Sequence, residues 1–271
     1  MGRRIEDALS RRRAEGRKAL ITYLCVGDPD EAQSVDLALA CVAAGADVLE
    51  LGCPFSDPTA DGPAIARASQ RALARGGGLE ETLRVARAVR ARAPDVGIVL
   101  FGYYNPLFVR SEALAVAAIA SAGVDALLVV DLPIDESTPL RIAAAERGLG
   151  VIPLVAPTTT EDRLGRIVDA AARFPVPFVY CVSMTGVTGG AGATAVLEKA
   201  AAQAAHVREL TGVPAVVGFG IDSGERARVA SAGADGVVVG SALVRAIEEE
   251  STAERRRERV HTLVGELRDA V

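Results

Sequence analysis

Eight short apolar runs recur along the chain and limit what it can fold into. They are rich in valine, isoleucine and leucine and mostly lack alternation with polar residues, which is typical of strands buried on both faces of a parallel sheet. Segments with helical periodicity, such as residues 79–93, lie between the runs. The predicted strands are residues 19–26, 46–51, 97–103, 126–132, 150–156, 178–183, 214–220 and 236–242.

Eight strand–helix units in 271 residues, about 34 residues per unit, predict an α/β fold of the (β/α)8 or TIM-barrel class. No linker or low-complexity stretch divides the chain, so we expect a single domain over residues 1–271. Extra helices are predicted at 3–15 and 252–270, covering the bottom and flank of the barrel. An open doubly wound sheet is the alternative that the pattern leaves open.

A four-residue joint, alanine–glycine–alanine or valine–aspartate, occurs at 44–47, 122–125 and 232–235. Each copy lies between a helical segment and an apolar run. Glycine suits the left-handed backbone that ends many helices. We therefore expect each joint to end a helix and begin a strand.

Composition narrows the function before any motif is considered. The formal net charge of −5 gives no basic field for a phosphate backbone, which disfavours nucleic-acid binding. The four cysteines have no metal-binding spacing, so no metal site is predicted. No leader and no membrane-length apolar run are apparent. We expect a cytoplasmic protein with reduced, buried thiols and no membrane contact.

The carboxyl ends of the strands are where barrels of this class hold their chemistry. Glu50 ends the second predicted strand among apolar neighbours, and loss of hydration should raise its pKa toward neutrality. Asp57 and Asp61 follow in the next loop, and carboxylates in different environments can divide acid and base roles. Alternatively, these two aspartates only cap the helix that begins near Pro63.

Small residues follow the last two strands. Gly220 ends a glycine–phenylalanine–glycine turn, and Gly240 with Ser241 precedes a helix. Backbone amides at such turns suit a phosphate group, and the glycine-rich residues 186–190 could complete the site. The alternative is that these glycines only form tight turns.

No lysine or histidine lies at the carboxyl end of a predicted strand, and this excludes several catalytic mechanisms. Neither Lys18 nor Lys199 lies at a carboxyl end, so Schiff-base formation lacks its nucleophile. His206 and His261 lie in predicted helices, which disfavours zinc-dependent aldol cleavage and serine–histidine catalysis. Proton transfer by carboxylates remains, helped by Tyr180.

Apolar and aromatic side chains concentrate near the strand ends, although each one alone could be core. As a set they predict a pocket for a flat apolar ring beside the phosphate site. The set is Tyr23, Phe101, Tyr103, Leu128, Val130, Tyr180 and Phe219.

The segment LELGCPFSDPTADGP at 49–63 resembles the signature of the tryptophan synthase alpha chain family. Shorter matches in family order are GDP at 27–29, YNP at 104–106, GVTG at 186–189, GFGI at 218–221 and GSA at 240–242. The resemblance implies a lyase that needs no cofactor and splits indole-3-glycerol phosphate into indole and glyceraldehyde 3-phosphate.

The resemblance also implies roles for single residues. Glu50 would be the catalytic acid–base, Asp61 would bind the indole N–H, and Tyr180 would act near Glu50. The phosphate contacts would be Gly189, Gly220, Gly240 and Ser241, and Thr188 beside them would also bind substrate. The indole pocket would be Tyr23, Phe101, Leu128, Val130 and Phe219.

A partner is implied as well: a pyridoxal-phosphate-dependent beta subunit, in an alpha2-beta2 tetramer that makes L-tryptophan. Three other functions stay open from the residues themselves. They are a stand-alone indole-releasing lyase, a barrel lyase or isomerase acting on a sugar phosphate, and a non-catalytic barrel that binds a phosphate ligand.

Overall fold

A parallel sheet forms the centre of the molecule. The computed structural model describes residues 3–182, 193–218 and 220–271. Its strands are β1 (Ala19–Cys25), β2 (Val48–Gly52), β3 (Gly97–Gly102), β4 (Ala126–Val129), β5 (Gly150–Val151), β6 (Leu154–Val155), β7 (Val179–Val182), β8 (Ala215–Gly218) and β9 (Gly236–Val239). They lie in the order β5-β4-β3-β2-β1-β9-β8-β7-β6, and each pairing is parallel.

The fifth predicted strand is split into β5 and β6, and this break joins the two edges of the sheet. Pro153 has no N–H to donate to a ladder, which explains why a continuous strand over 150–156 is wrong. Ile152 N–H donates to Leu127 O at 2.9 Å, and Pro153 O accepts from Tyr180 N–H at 3.0 Å. The ring therefore closes through the break, which confirms the (β/α)8 barrel and excludes the open doubly wound sheet.

Helices surround the sheet. They are α1 (Arg4–Ala14), α2 (Glu31–Ala43), α3 (Pro63–Leu73), α4 (Leu79–Arg92), α5 (Asn105–Phe108), α6 (Glu112–Ser121), α7 (Thr138–Glu146), α8 (Glu161–Arg173), α9 (Ala193–Thr211), α10 (Gly224–Ser231), α11 (Ser241–Glu248) and α12 (Ala253–Ala270). As predicted, the first is extra and covers the barrel bottom, since Ile5 and Leu9 pack into the inner core. The last lies on the flank against α2, α10 and α11.

Alternation along the strands divides the core into two layers. In β1, Ala19 and Ile21 belong to the cluster inside the barrel, whereas Leu20 and Leu24 pack outward against the helices. In β2, Val48 belongs to the inner cluster. Because side chains repeat every two residues along a strand, position 50 also faces the interior.

The repeated joint has a second role that its sequence did not reveal. Each of its three aspartates accepts a hydrogen bond from a strand N–H and pairs with an arginine of α1, so the joints hold α1 over the barrel bottom. The pairs are Arg12–Asp47, Arg4–Asp125 and Arg13–Asp235, and the N–H donors are Leu20, Ile98 and Ala215.

Three sequence predictions need correction at element ends. Gly45 and Gly123 have φ of +104° and +83°, as expected after a helix, but Gly233 has no such angle. A Cβ there would lie 2.2 Å from Ala201 O, so close approach of α9 requires this glycine. The strands predicted over 126–132 and 236–242 end earlier, at Val129 and Val239, and Gly240 is the N-cap of α11.

Asp47→Asn is expected to lower the free energy of unfolding by about 3 kcal/mol, because a buried arginine loses its charge partner. The Asp47 carboxylate is 1% exposed and contacts Arg12 and the buried Arg268, both at 2.8 Å. Urea unfolding measures the change. Asp36→Asn, in an exposed pair with Arg92 at 3.6 Å, is the control and should change stability by less than about 0.5 kcal/mol. A loss below about 1 kcal/mol in Asp47→Asn would contradict this account.

Candidate active site

Glu50 lies inside the barrel at the carboxyl half of β2. Glu50 is 1% exposed, and its Oε1 accepts no hydrogen bond from the described residues. Burial raises its pKa to about 8, the direction that the sequence predicts, because the charged form loses hydration with no compensating donor. Near neutral pH the carboxyl group is therefore protonated, so it can donate its proton and later accept one.

Asp61 ends the loop that follows β2, and Tyr103 holds this loop in place. The Tyr103 ring stacks on Phe55 at 4.9 Å between centroids, and its hydroxyl accepts the Ala60 N–H at 3.0 Å. Burial raises the pKa of Asp61 to about 6, and the interaction with the Tyr103 hydroxyl acts in the opposite direction. Asp61 is thus ionised at neutral pH while Glu50 is not.

The capping alternative is wrong for both loop aspartates. The N-cap of α3 is Gly62, and no side chain accepts a hydrogen bond there. Asp57 is exposed and accepts a hydrogen bond from its neighbour Ser56. Of these two aspartates, only Asp61 is partly buried.

Tyr23 and Tyr180 are buried side chains that lie near both carboxyl groups, Glu50 and Asp61. Burial raises the pKa of Tyr180, and the nearby charges of Glu50 and then Asp61 raise it further. The pKa of Tyr23 is raised by burial too, with Asp61 and Glu50 among the smaller causes. Tyr180 therefore lies within electrostatic reach of both Glu50 and Asp61, the other two residues predicted as catalytic.

Glycines lie beside both tyrosine rings, a role that sequence reasoning missed, although Gly218 begins the glycine–phenylalanine–glycine turn predicted to bind phosphate. A Cβ at Gly52 would lie 2.3 Å from the Tyr23 hydroxyl, and one at Gly218 would lie 2.0 Å from the Tyr180 hydroxyl. Each glycine lies two residues beyond the tyrosine's partner on the neighbouring strand, since Tyr23 pairs with Glu50 and Tyr180 with Val216. Only the strand register could have identified this role.

The predicted apolar wall is partly assembled in the described residues. Phe101 contacts Tyr23 edge to face, with centroids 5.1 Å apart. Leu128 is fully buried in the inner core with Tyr180, and Val130 packs against the same cluster while partly exposed. Phe219 lies outside the described residues.

The turns predicted to bind phosphate lie at the ends of β8 and β9. Gly240 is the N-cap of α11 and Ser241 is the first helical residue, with no side chain capping the helix. The first-turn N–H groups of α11 can therefore bind an anion. Gly220 has φ of +74°, which glycine adopts readily. The predicted contacts Thr188 and Gly189 lie outside the described residues.

Ion pairs that no sequence pattern predicts connect α3 with α11. Arg71 donates to both Asp28 carboxylate oxygens at 2.8 and 2.7 Å and to Glu248 at 2.7 Å. Arg67 donates twice to Glu248, at 3.0 and 2.7 Å, and these bonds lower the pKa of Glu248 to about 2. Since α3 starts after Asp61 and α11 starts at the phosphate turn, the pairs fix the two ends of the site relative to each other.

The lysines and histidines lie away from this site, as predicted. Lys18 precedes β1 at its amino end and donates to Ala234 O, and Lys199 lies in α9. His206 is exposed beside Glu161, and His261 is exposed on α12. The titratable groups gathered in the described part of the site are carboxyl groups, tyrosine hydroxyls and the thiol of Cys25, whose pKa burial raises to about 12.

Comparison with known proteins agrees with this geometry. The family profile described as tryptophan synthase alpha chain matches residues 9–271. A tryptophan synthase alpha chain of Geobacter sulfurreducens is 44% identical over 268 residues, covering 99% of this chain and 98% of its own.

Solved structures extend the match to the fold. Tryptophan synthase subunit alpha from Legionella pneumophila has a TM-score of 0.86 at 32% identity, with 98% of this chain and 97% of that one covered. Tryptophan synthase from Mycobacterium tuberculosis has a TM-score of 0.86 at 36% identity, with coverages of 99% and 98%. The resemblance seen in the signature at 49–63 thus holds along the whole sequence, and the chain belongs to the tryptophan synthase alpha chain family.

Proposed function

We propose that the chain is a lyase that cleaves indole-3-glycerol phosphate into indole and glyceraldehyde 3-phosphate, the alpha reaction of L-tryptophan biosynthesis. The observation that carries the proposal is the pair of carboxyl groups with separated pKa values, about 8 for Glu50 and about 6 for Asp61. A pair of this kind can donate a proton and stabilise a cation at the same pH. Family membership agrees with this reaction. It does not agree with the alternatives of a barrel enzyme acting on a sugar phosphate or a non-catalytic barrel that binds a phosphate ligand.

The reaction needs one net proton transfer, which a single residue can perform. Protonated Glu50 gives its proton to the indole ring carbon that carries the side chain, forming a cationic indolenine. The Glu50 carboxylate then takes the proton of the neighbouring side-chain hydroxyl as the carbon–carbon bond breaks. The bonding electrons return to the ring, a carbonyl forms on the departing fragment, and Glu50 is again protonated. Atoms and charge balance without a redox partner.

Asp61 and Tyr180 support this transfer in different ways. The ionised Asp61 accepts the indole N–H and offsets the positive charge of the indolenine. Tyr180, whose pKa is raised by burial, stays neutral and lies beside Glu50, where its hydroxyl can orient the carboxyl group. Phe101, Leu128 and Val130 are proposed to contact the indole ring together with Tyr23 and Phe219.

Substrate affinity is proposed to come mainly from the phosphate end. Gly220, Gly240 and Ser241 would bind it through backbone N–H groups, and Thr188 and Gly189 would complete the site. The positive end of the α11 dipole favours a dianion at this point. Tyr103 is proposed to line the ring pocket as predicted and also to hold the loop that carries Asp61.

We further propose a pyridoxal-phosphate-dependent beta subunit as partner, in an alpha2-beta2 assembly in the cytoplasm, where the four free, buried cysteines remain reduced. Three large apolar residues after β3 support a protein contact: Phe108, Val109 and Leu114 are 63%, 73% and 69% exposed. In the described part of the chain, no helix has the length and apolarity to cross a membrane.

An indole-release assay with the purified chain, with and without a beta subunit, tests both proposals. Release that the beta subunit accelerates supports the lyase and the partner together. Release that the beta subunit leaves unchanged, with no co-purification, favours a stand-alone lyase. No release under either condition, with the phosphate ligand still bound, would favour a non-catalytic barrel.

The pH dependence of kcat/KM is expected to be bell-shaped, with its maximum near pH 7. Below about pH 6 Asp61 gains a proton and loses its charge, and above about pH 8 Glu50 loses the proton that it must donate. Each limb should fall about tenfold per pH unit, as for one required protonation state. Steady-state assays from pH 5 to 9, with circular dichroism as a folding control, check the profile. A flat profile across this range would contradict the assignment.

A further inference from the structure

Arg141, on α7, is a buried arginine that no carboxylate accompanies. The residue is 3% exposed. Its Nε donates to Ser137 Oγ at 2.8 Å and its Nη1 to Val151 O at 2.9 Å, and both acceptors are neutral. No aspartate or glutamate pairs with it in the described residues. The residues outside the described ranges, 1–2, 183–192 and 219, include no acidic residue. The chain itself therefore provides no counter-charge.

Three other arginines whose side chains are at most a fifth exposed each have a carboxylate partner, unlike Arg141. The side chains of Arg268, Arg90 and Arg12 are 9%, 14% and 19% exposed. Each pairs with an aspartate at 2.7 or 2.8 Å. Burying a charge without a partner is costly, and burial accordingly lowers the pKa of Arg141 to about 10.

A cavity of about 270 Å³ lies against Arg141, at the carboxyl ends of β4 and β5 and between α7 and α8. It is separate from the proposed catalytic groups, since Glu50, Asp61 and Tyr180 do not line it. Among the described residues proposed to bind substrate, only Val130 lies on its wall. Its other apolar lining includes Val129, Leu132, Ile134, Ile152 and Ile167.

We propose that this cavity binds a small aliphatic carboxylate, with the carboxylate on the Arg141 guanidinium and the hydrocarbon part against the apolar lining. A guanidinium matches the planar geometry of a carboxylate and can donate two parallel hydrogen bonds. A phosphate dianion is a poorer match, because Arg141 is the one buried cation among the described residues that line the cavity, and the Asp131 carboxylate on the same wall would repel a second negative charge. The volume lies just below the range of drug-sized ligand pockets, which suits a molecule of few carbon atoms. The site is independent of the proposed lyase activity.

Calorimetric titration of the purified full chain with 3-methylbutanoate tests the proposal, with 3-methylbutanamide as the uncharged ligand of the same shape. We expect saturable binding of one carboxylate per chain, with the amide at least about tenfold weaker, as for loss of a charge-assisted hydrogen bond. Arg141→Met should weaken carboxylate binding by a similar factor. Arg163→Met removes an exposed charge from the same cavity and should leave binding within about twofold.

A parallel titration in the presence of inorganic phosphate separates this cavity from the proposed substrate phosphate site. Carboxylate binding should persist there, and its loss would assign the binding to the substrate site and overturn the proposal. Equal affinity for the amide, unchanged affinity in Arg141→Met, or no saturable binding to the wild-type chain would overturn it as well. If Arg141→Met does not fold, the wild-type comparison of carboxylate with amide decides alone.

Discussion

Glu50→Gln is expected to lower kcat for indole release by at least about a thousandfold while substrate affinity stays within a few-fold. Glutamine has nearly the same shape but can neither give a proton to the ring carbon nor accept one from the hydroxyl. General acid–base groups contribute about 10²–10⁴ in rate, and here one residue has both roles. Single-turnover indole release, with affinity measured by titration of an unreactive indole propanol phosphate, separates the two effects.

The same substitution is expected to stabilise the fold. The folded pKa of Glu50 is about 8 against an ordinary value of 4.5, so between these pH values the folded state binds more protons than the unfolded state. Stability therefore falls as pH rises through this window. Glutamine has no carboxyl group to ionise, so this loss of stability is absent from the variant. At pH 8 the free energy of unfolding of the variant should exceed that of the wild type by roughly 2–4 kcal/mol.

Glu81→Gln is the matched control. Burial raises the pKa of Glu81 as well, and its Oε2 accepts no hydrogen bond from the described residues, but it lies on α4 beside Gly27 and Gly77. We expect normal kcat in this variant. A Glu50→Gln enzyme that retains more than about a tenth of wild-type turnover would contradict the proton-transfer role.

Asp61→Asn is expected to lower kcat about 10²–10³-fold, because an amide offers no charge to the cationic indolenine. The amide can still face the indole N–H through its carbonyl oxygen, so KM should change less than kcat. The acidic limb of the pH profile should also disappear, since the group that titrates near pH 6 is gone.

Asp57→Asn tests whether charge on the loop in general matters. Asp57 lies four residues earlier, is exposed and is bonded to Ser56, so kcat should stay within about threefold of the wild-type value. Equal losses in the two variants would show that loop conformation, rather than the charge of Asp61, limits the reaction.

Patterns local in sequence predicted the fold well. Strands buried on both faces are continuous apolar runs, so seven of the eight predicted runs each correspond to one strand. The break at Ile152 and Pro153 lies within such a run, and its one local signal is Pro153, which has no N–H to donate to a ladder. Gly233 shows the limit of local patterns, because its requirement comes from Ala201 on α9, thirty-two positions away in the chain.

The candidate site was predictable where a residue's neighbours in sequence determine its environment. Glu50 sits among apolar residues on one strand, so its burial and raised pKa could be expected. The links from Arg71 to Asp28 and Glu248 span 43 and 177 positions, and no spacing rule connects them. The α1 arginines that pair with the three joint aspartates are equally remote from them in sequence.

Titration of the Glu50 carboxyl group decides whether this residue carries a proton at neutral pH. The ¹³C chemical shift of its side-chain carboxyl carbon, assigned by comparison with Glu50→Gln, can be followed from pH 4 to pH 10 in the substrate-free protein. The account predicts a midpoint near 8 that coincides with the alkaline limb of kcat/KM. A midpoint near 4.5, the ordinary value for glutamate, would mean that the group is ionised at neutral pH and has no proton to give.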